Sequence, residues 1–103
     1  MKIYLKETDG SWKLYEGEIQ GELNNRGIII GEGVIIGEGA IIGELAIIGE
    51  WVTIGEGAII GEWASIGKGA RIGEWASIGE RASISERAII GKWSSIGEWA
   101  SIG

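Results

Sequence analysis

The 103 residues contain no histidine, cysteine, proline or phenylalanine, and only one methionine. Without cysteine there is no disulfide and no thiol redox chemistry, and nothing in sulfur usage marks a compartment. With histidine also missing, the usual ligand sets for zinc cannot be assembled. Serines such as Ser65 and Ser83 have no imidazole to activate them. Lys68 and Lys92 fall at corner positions where no pocket makes an amine a catalyst. No G-x-G-x-x-G or Walker-type spacing occurs, so the glycines do not signal a phosphate cradle. There is no apolar run of membrane length. The opening Met1-Lys2-Ile3-Tyr4-Leu5-Lys6-Glu7 is charged too early for a signal peptide, which leaves the cytoplasm as the default expectation. Positive charge is scarce: the net charge is −6, with ten Glu against five Lys and Arg between 28 and 103. That balance argues against nucleic acid and anionic membrane as partners. These absences predict no catalytic residue, no metal and no cofactor.

What is present is one six-residue phrase repeated from residue 28 to residue 103. Isoleucine stands at 30, 36, 42, 48, 54, 60, 66, 72, 78, 84, 90, 96 and 102. Each is followed by glycine, except at Ser85, and then by Glu or Lys. Two residues before each Ile sits a small or β-branched residue, such as Ala40, Val52 or Ala64. Positions i−2 and i then share one face while i−1 takes the other, which is strand alternation. The next three residues break it and form a corner. Glycine tolerates the dihedrals a sharp corner demands, so the Gly after each Ile is expected to supply them. Three strand–corner units close a coil, residues 18 apart stack, and the coils bury a core that no strand could bury alone. A period of six with one Gly per unit excludes a helix.

In its repeats the chain resembles the hexapeptide-repeat proteins, and Ile36-Gly37-Glu38-Gly39-Ala40-Ile41 matches their pattern position by position. The resemblance implies an all-β fold, a left-handed parallel β-helix of triangular section with 18 residues per coil and about four coils. The handedness rests on the family alone, because the general crossover rule favours the right-handed sense. Relatives are often acyltransferases with a His base between subunits, and others resemble γ-class carbonic anhydrases with three zinc-bound His. Neither set carries over to any position here. Trimers are common in the family, which makes a homo-oligomer, favoured as a trimer, the expected partner.

Residues 1–27 are a different text. Ile3-Tyr4-Leu5 and Trp12-Lys13-Leu14-Tyr15 read as strands around the turn Thr8-Asp9-Gly10-Ser11, followed by a polar lead-in with Gly17, Gly21, Asn24, Asn25 and Gly27. This divides the chain into a hairpin and cap over 1–27 and a solenoid over 28–103. The hairpin is expected to cap the first coil and to cover one outer face, with docking to a partner as the alternative. At the other end Ile102-Gly103 brings no distinct cap.

Three features are candidates for function. The outward i−1 positions of the early coils are apolar, with Ile29, Ile35, Ile41, Ile47 and Ile59 forming a surface that needs covering. The third corner position carries Trp51, Trp63, Trp75, Arg81, Trp93 and Trp99. Stacking by 18 places Trp75 on Trp93 and Arg81 between Trp63 and Trp99, either locking coils together or gripping sugar rings. One edge is all acid, Glu44, Glu62, Glu80 and Glu98, fanning into solvent or holding a hard cation. Three readings follow: a non-enzymatic self-association rod, a binding module for carbohydrate or another repetitive surface, and a catalytically degenerate transferase relative. Such regular repetition suits an idealised or recently duplicated solenoid.

Overall fold

Alternation decides which isoleucines go inside. The Ile at 42, 48, 54, 60, 66, 72, 78 and 84 are all buried, as are their i−2 partners Ala40, Ala46, Val52, Ala58, Ala64, Ala70, Ala76 and Ala82. The computed structural model describes residues 2–17 and 19–102. Met1, Glu18 and Gly103 fall outside it, so the expected open end is described only as far as Ile102. The chain begins with β1 (Lys2–Lys6), β2 (Trp12–Glu16) and a short helix α1 (Gln20–Asn25). Thirteen two-residue strands follow, one every six residues, from β3 (Ile29–Ile30) to β15 (Ser101–Ile102).

These strands form the three walls of a parallel β-solenoid with 18 residues per coil and a little over four coils. One wall stacks β5 (Ile41–Ile42), β8 (Ile59–Ile60), β11 (Ser77–Ile78) and β14 (Ser95–Ile96). The second holds β4 (Ile35–Ile36), β7 (Thr53–Ile54), β10 (Arg71–Ile72) and β13 (Ile89–Ile90). The third runs from β3 through β6 (Ile47–Ile48), β9 (Ser65–Ile66) and β12 (Ser83–Ile84) to β15. All of these strands pair in parallel with a register of 18, for example Ser83 with Ser65 and Ile84 with Ile66. Backbone bonds repeat from coil to coil, such as Ile41 N–H to Ala58 O at 2.9 Å and Gly43 N–H to Ile60 O at 2.8 Å.

The corners correct the sequence reading. The glycine following each Ile does not lie in the left-handed region; the residue two places later does. Gly33, Gly39, Gly57 and Gly69 have φ between +69° and +77°, and Leu45, Trp51, Trp63, Trp75, Arg81, Arg87, Trp93 and Trp99 have φ of +60° to +64°. With bonds such as Ala58 N–H to Gly55 O at 3.2 Å, each corner has the form of a type II turn. The glycine that follows each repeat Ile except Ile84 is required for a different reason, close approach. A Cβ on Gly61 would sit 2.7 Å from the Glu80 nitrogen of the next coil. Stacking leaves no room there for any side chain.

The amino-terminal segment also departs from expectation. β1 pairs antiparallel with β2 and parallel with β5, through Tyr4 opposite Ile41. Tyr4 N–H donates to Ala40 O at 2.9 Å, the bond by which Ile41 joins Ala58 one coil further on. The hairpin therefore extends one wall edge-on rather than lying over an outer face. Ile3 and Leu5 on β1 are fully buried and share one core with the solenoid isoleucines. The polar lead-in contains α1, which closes the core with Leu23 and is flanked by buried Ile19 and Ile28. It ends in a Schellman motif: Gly27, at φ +67°, donates to Asn24 O at 3.1 Å, and Ile28 N–H donates to Leu23 O at 3.0 Å. Among the described residues no helix is long and apolar enough to cross a membrane.

Candidate functional site

Because every corner residue at the third position is left-handed, its side chain leaves the edge in the same direction, back over the preceding coil. Trp51 lies over Gly33 and Trp75 over Gly57, each filling the space a Cβ would occupy on the glycine. Leu45 does the same over Gly27, with its Cδ2 2.5 Å from that position. Where two bulky residues follow each other they stack. Trp93 lies on Trp75 with ring centroids 5.7 Å apart and planes 13° from parallel. The Arg81 guanidinium sits 5.3 Å from the Trp63 ring and 4.9 Å from the Trp99 ring. The corner N–H groups extend the same ladder, as in Trp51 to Glu32 O at 2.9 Å and Arg81 to Glu62 O at 2.9 Å.

A left-handed conformation costs an L-residue roughly 1–2 kcal/mol relative to glycine, so the ladder contacts work against backbone strain. This gives a test at Arg81. Arg81→Ala removes both cation–π contacts and keeps the strain, with an expected loss of about 1–2 kcal/mol. Arg81→Gly removes the same contacts but relaxes the backbone, so it should be the milder change by about 1 kcal/mol. Chemical denaturation of the two variants measures the difference; a glycine variant less stable than the alanine one contradicts the strain at this corner.

The charged corner positions form looser rails. Lys68 Nζ lies 3.8 Å from Glu50 Oε1 and Lys92 Nζ 3.6 Å from Glu74 Oε1, all largely exposed, so each pair adds little. Glu44, Glu62, Glu80 and Glu98 lie along the remaining edge, and among the described residues no three carboxylates converge as a metal site would require.

The outward isoleucines form the second candidate surface. Ile29 is 59% exposed, Ile35 65%, Ile47 47% and Ile59 43%, while Ile41 is half-buried beside Tyr4. The hairpin covers none of the first two.

A third cluster escaped the sequence reading. Arg26 Nη2 lies 2.8 Å from Glu7 Oε2, and Nη1 lies 2.7 Å from Glu22 Oε1. Tyr15 donates its hydroxyl to Glu7 Oε2 at 2.6 Å and accepts from Arg26 Nη2 at 3.1 Å. The hydrogen bond to Glu7 raises the Tyr15 phenol above its ordinary value. The only hint in the sequence is the i, i+4 spacing of Glu22 and Arg26; Glu7 and Tyr15 are brought in by the hairpin. The group ties hairpin to helix beside a shallow cleft that Glu44 also lines. It pairs acids with a base and presents no nucleophile beside a general base.

The family comparison agrees with this architecture. A family model described as bacterial transferase hexapeptide (six repeats) matches residues 33–68 and 52–86. No curated protein matches the sequence. Among solved structures, the acetyltransferase domain of PglB from Neisseria gonorrhoeae FA1090 is 19% identical, with a TM-score of 0.46 over 74% of this chain and 46% of that one. Serine acetyltransferase isoform 3 from Entamoeba histolytica, solved in complex with cysteine, is 23% identical, with a TM-score of 0.26 over 72% of this chain and 36% of that one. The chain thus spans less than half the length of either acetyltransferase structure.

Proposed function

The chain belongs to the bacterial transferase hexapeptide-repeat family, and within that family we propose that it acts without catalysis, as a rigid solenoid that self-associates into a homo-oligomer. The observation that carries this reading is the set of outward isoleucines on the early coils, Ile29 and Ile47 on one wall, Ile35 on the second and Ile59 on the third, each more than 40% exposed. Exposed isoleucines on every wall are a liability in an isolated chain and an asset in an interface. The absence of histidine from all 103 residues supports the non-catalytic half of the proposal, because the family's acyl-transfer base has no counterpart here.

The natural assembly is a parallel trimer packed about the wall that presents Ile29 and Ile47 or the wall that presents Ile41 and Ile59. Replacing one of these pairs with lysine is expected to remove the three-fold contact, read as a drop in mass by light scattering, while the circular dichroism stays unchanged. A parent chain that is monomeric at high micromolar concentration overturns the reading. Trp93 and Trp99, 72% and 69% exposed, favour a second reading in which corner indoles bind sugar rings. Glycan binding that Trp99→Ala abolishes would favour it over self-association.

A further inference from the structure

β2 is the outermost strand of the six-stranded wall, which runs β14, β11, β8, β5, β1, β2. At five residues it matches β1 as the longest strand in the molecule. Its hydrogen-bonding phase can be read from its neighbours. Tyr4 spends its N–H on Ala40 of the solenoid, and Glu7 N–H bonds Ser11 O at 2.7 Å. In an antiparallel pair, bonded and non-bonded residue pairs alternate. With Tyr4 opposite Leu14 and Leu5 opposite Lys13, Lys13 and Tyr15 are the β2 residues that bond to β1. Trp12, Leu14 and Glu16 therefore turn their N–H and C=O groups to the open edge. Among the described residues no backbone group meets them.

We propose that this edge is the docking site for a second copy of the chain, the two β2 strands pairing antiparallel about a two-fold axis through Leu14. The inference rests on the self-association reading and assigns it a specific surface and partner. Four features fit a second copy. Only the register centred on Leu14 uses all three open residues of each strand, Leu14 exchanging bonds with its twin and Trp12 with Glu16, for roughly six main-chain bonds in all. That register also brings Lys13 opposite the partner's Tyr15; Lys13 Nζ already lies 5.4 Å from the Tyr15 ring of its own chain. Leu14, Tyr4, Ile41 and Ile59 stand side by side across the outer face of this wall, so the two-fold axis joins two apolar rows into one. Residues 1–16 hold three lysines and three acids, whereas the repeats carry most of the net charge of −6. The hairpin is thus where two acidic rods repel least. Two of the usual safeguards against such pairing, a proline and a bulge, are missing from this edge.

The test is the mass of the intact chain by light scattering together with amide hydrogen exchange. Pairing through β2 gives a dimer, or a hexamer if the three-fold lateral contact also forms, while lateral contact alone gives a trimer. A dimer or hexamer supports the proposal; a trimer or a monomer overturns it, and a trimer does so while leaving the lateral reading intact. Leu14→Pro removes an N–H that β1 does not use and should halve the mass. Leu14→Lys, which sets two lysines against each other on the axis, should do the same if the proline variant proves unstable. In exchange, the amides of Trp12, Leu14 and Glu16 should gain protection as concentration rises, while those of Lys13 and Tyr15 stay protected throughout. Unchanged mass in both variants, or open-edge amides that stay unprotected in the oligomer, overturns the pairing.

Discussion

Gly61→Ala is expected to destabilise the solenoid by about 3 kcal/mol or more, some 15 °C in melting temperature for a chain of this size. The added methyl would lie 2.7 Å from the Glu80 nitrogen and 2.7 Å from the Gly79 carbonyl carbon, and a backbone that stacks coil on coil has no rotamer with which to yield. The same change at Gly97 meets nothing within 4 Å and involves no left-handed residue. Gly97→Ala should therefore be neutral or stabilising by about 0.5 kcal/mol, through the lower entropy of its unfolded chain. Thermal and denaturant unfolding of the two variants test the difference. Equal losses at both positions would mean that local dihedrals, not coil-to-coil approach, demand the glycine.

Ile66→Asp is expected to leave no folded protein. Ile66 is buried between Ile48 and Ile84 in the third wall, and its side chain contributes roughly 2–3 kcal/mol by burial. The carboxylate replacing it would have no hydrogen-bond donor within an interior in which no polar side chain is buried among the described residues. The combined loss is comparable with the roughly 5–15 kcal/mol that holds a domain of this size folded. Ser65, one residue earlier, is exposed, and Ser65→Asp should cost about 0.5 kcal/mol or less. Far-UV circular dichroism at matched concentration separates the outcomes, and greater damage from the Ser65 change would shift the inward set by one residue.

The inward set was legible because every unit is the same six residues long, so each Ile takes the same place in its strand. Six residues return every Ile to the same side of its strand, and 18 return it to the same wall, so thirteen isoleucines state the core and the register together. The corner dihedral was harder to read because glycine serves two different needs within one corner. At Gly55 or Gly61 it answers to the neighbouring coil; at Gly57 or Gly69 it answers to its own φ. The clue lay in the exceptions. A position that accepts Trp63 and Arg81 is one where a side chain has space and only backbone strain opposes it, whereas the glycine after each Ile gives way only once, at Ser85. The helix at Gln20–Asn25 was illegible for a different reason. Gly21, Asn24 and Asn25 are poor helix formers, and the turn and a half exists because Leu23 is drawn into the open end of the core. Nor could the pairing of Tyr4 with Ile41 be anticipated, because a 37-residue separation is no multiple of the repeat. The acidic edge, the corner indoles and the outward isoleucines could be located from spacing alone, whereas the Arg26 cluster depends on how the hairpin returns.

The constant register of 18 also governs how the chain comes together in time. Closing a loop costs chain entropy that grows with its length, and folding slows as contacts become more distant in sequence. Each wall strand here finds its partner after the same 18 residues, so a later coil closes no longer a loop than an earlier one. The hairpin, with the shortest separation of all, is expected to form first and to offer β5 a ready edge. As residues emerge from the ribosome amino end first, each new coil meets a finished template one turn behind it and never has to wait for sequence not yet made.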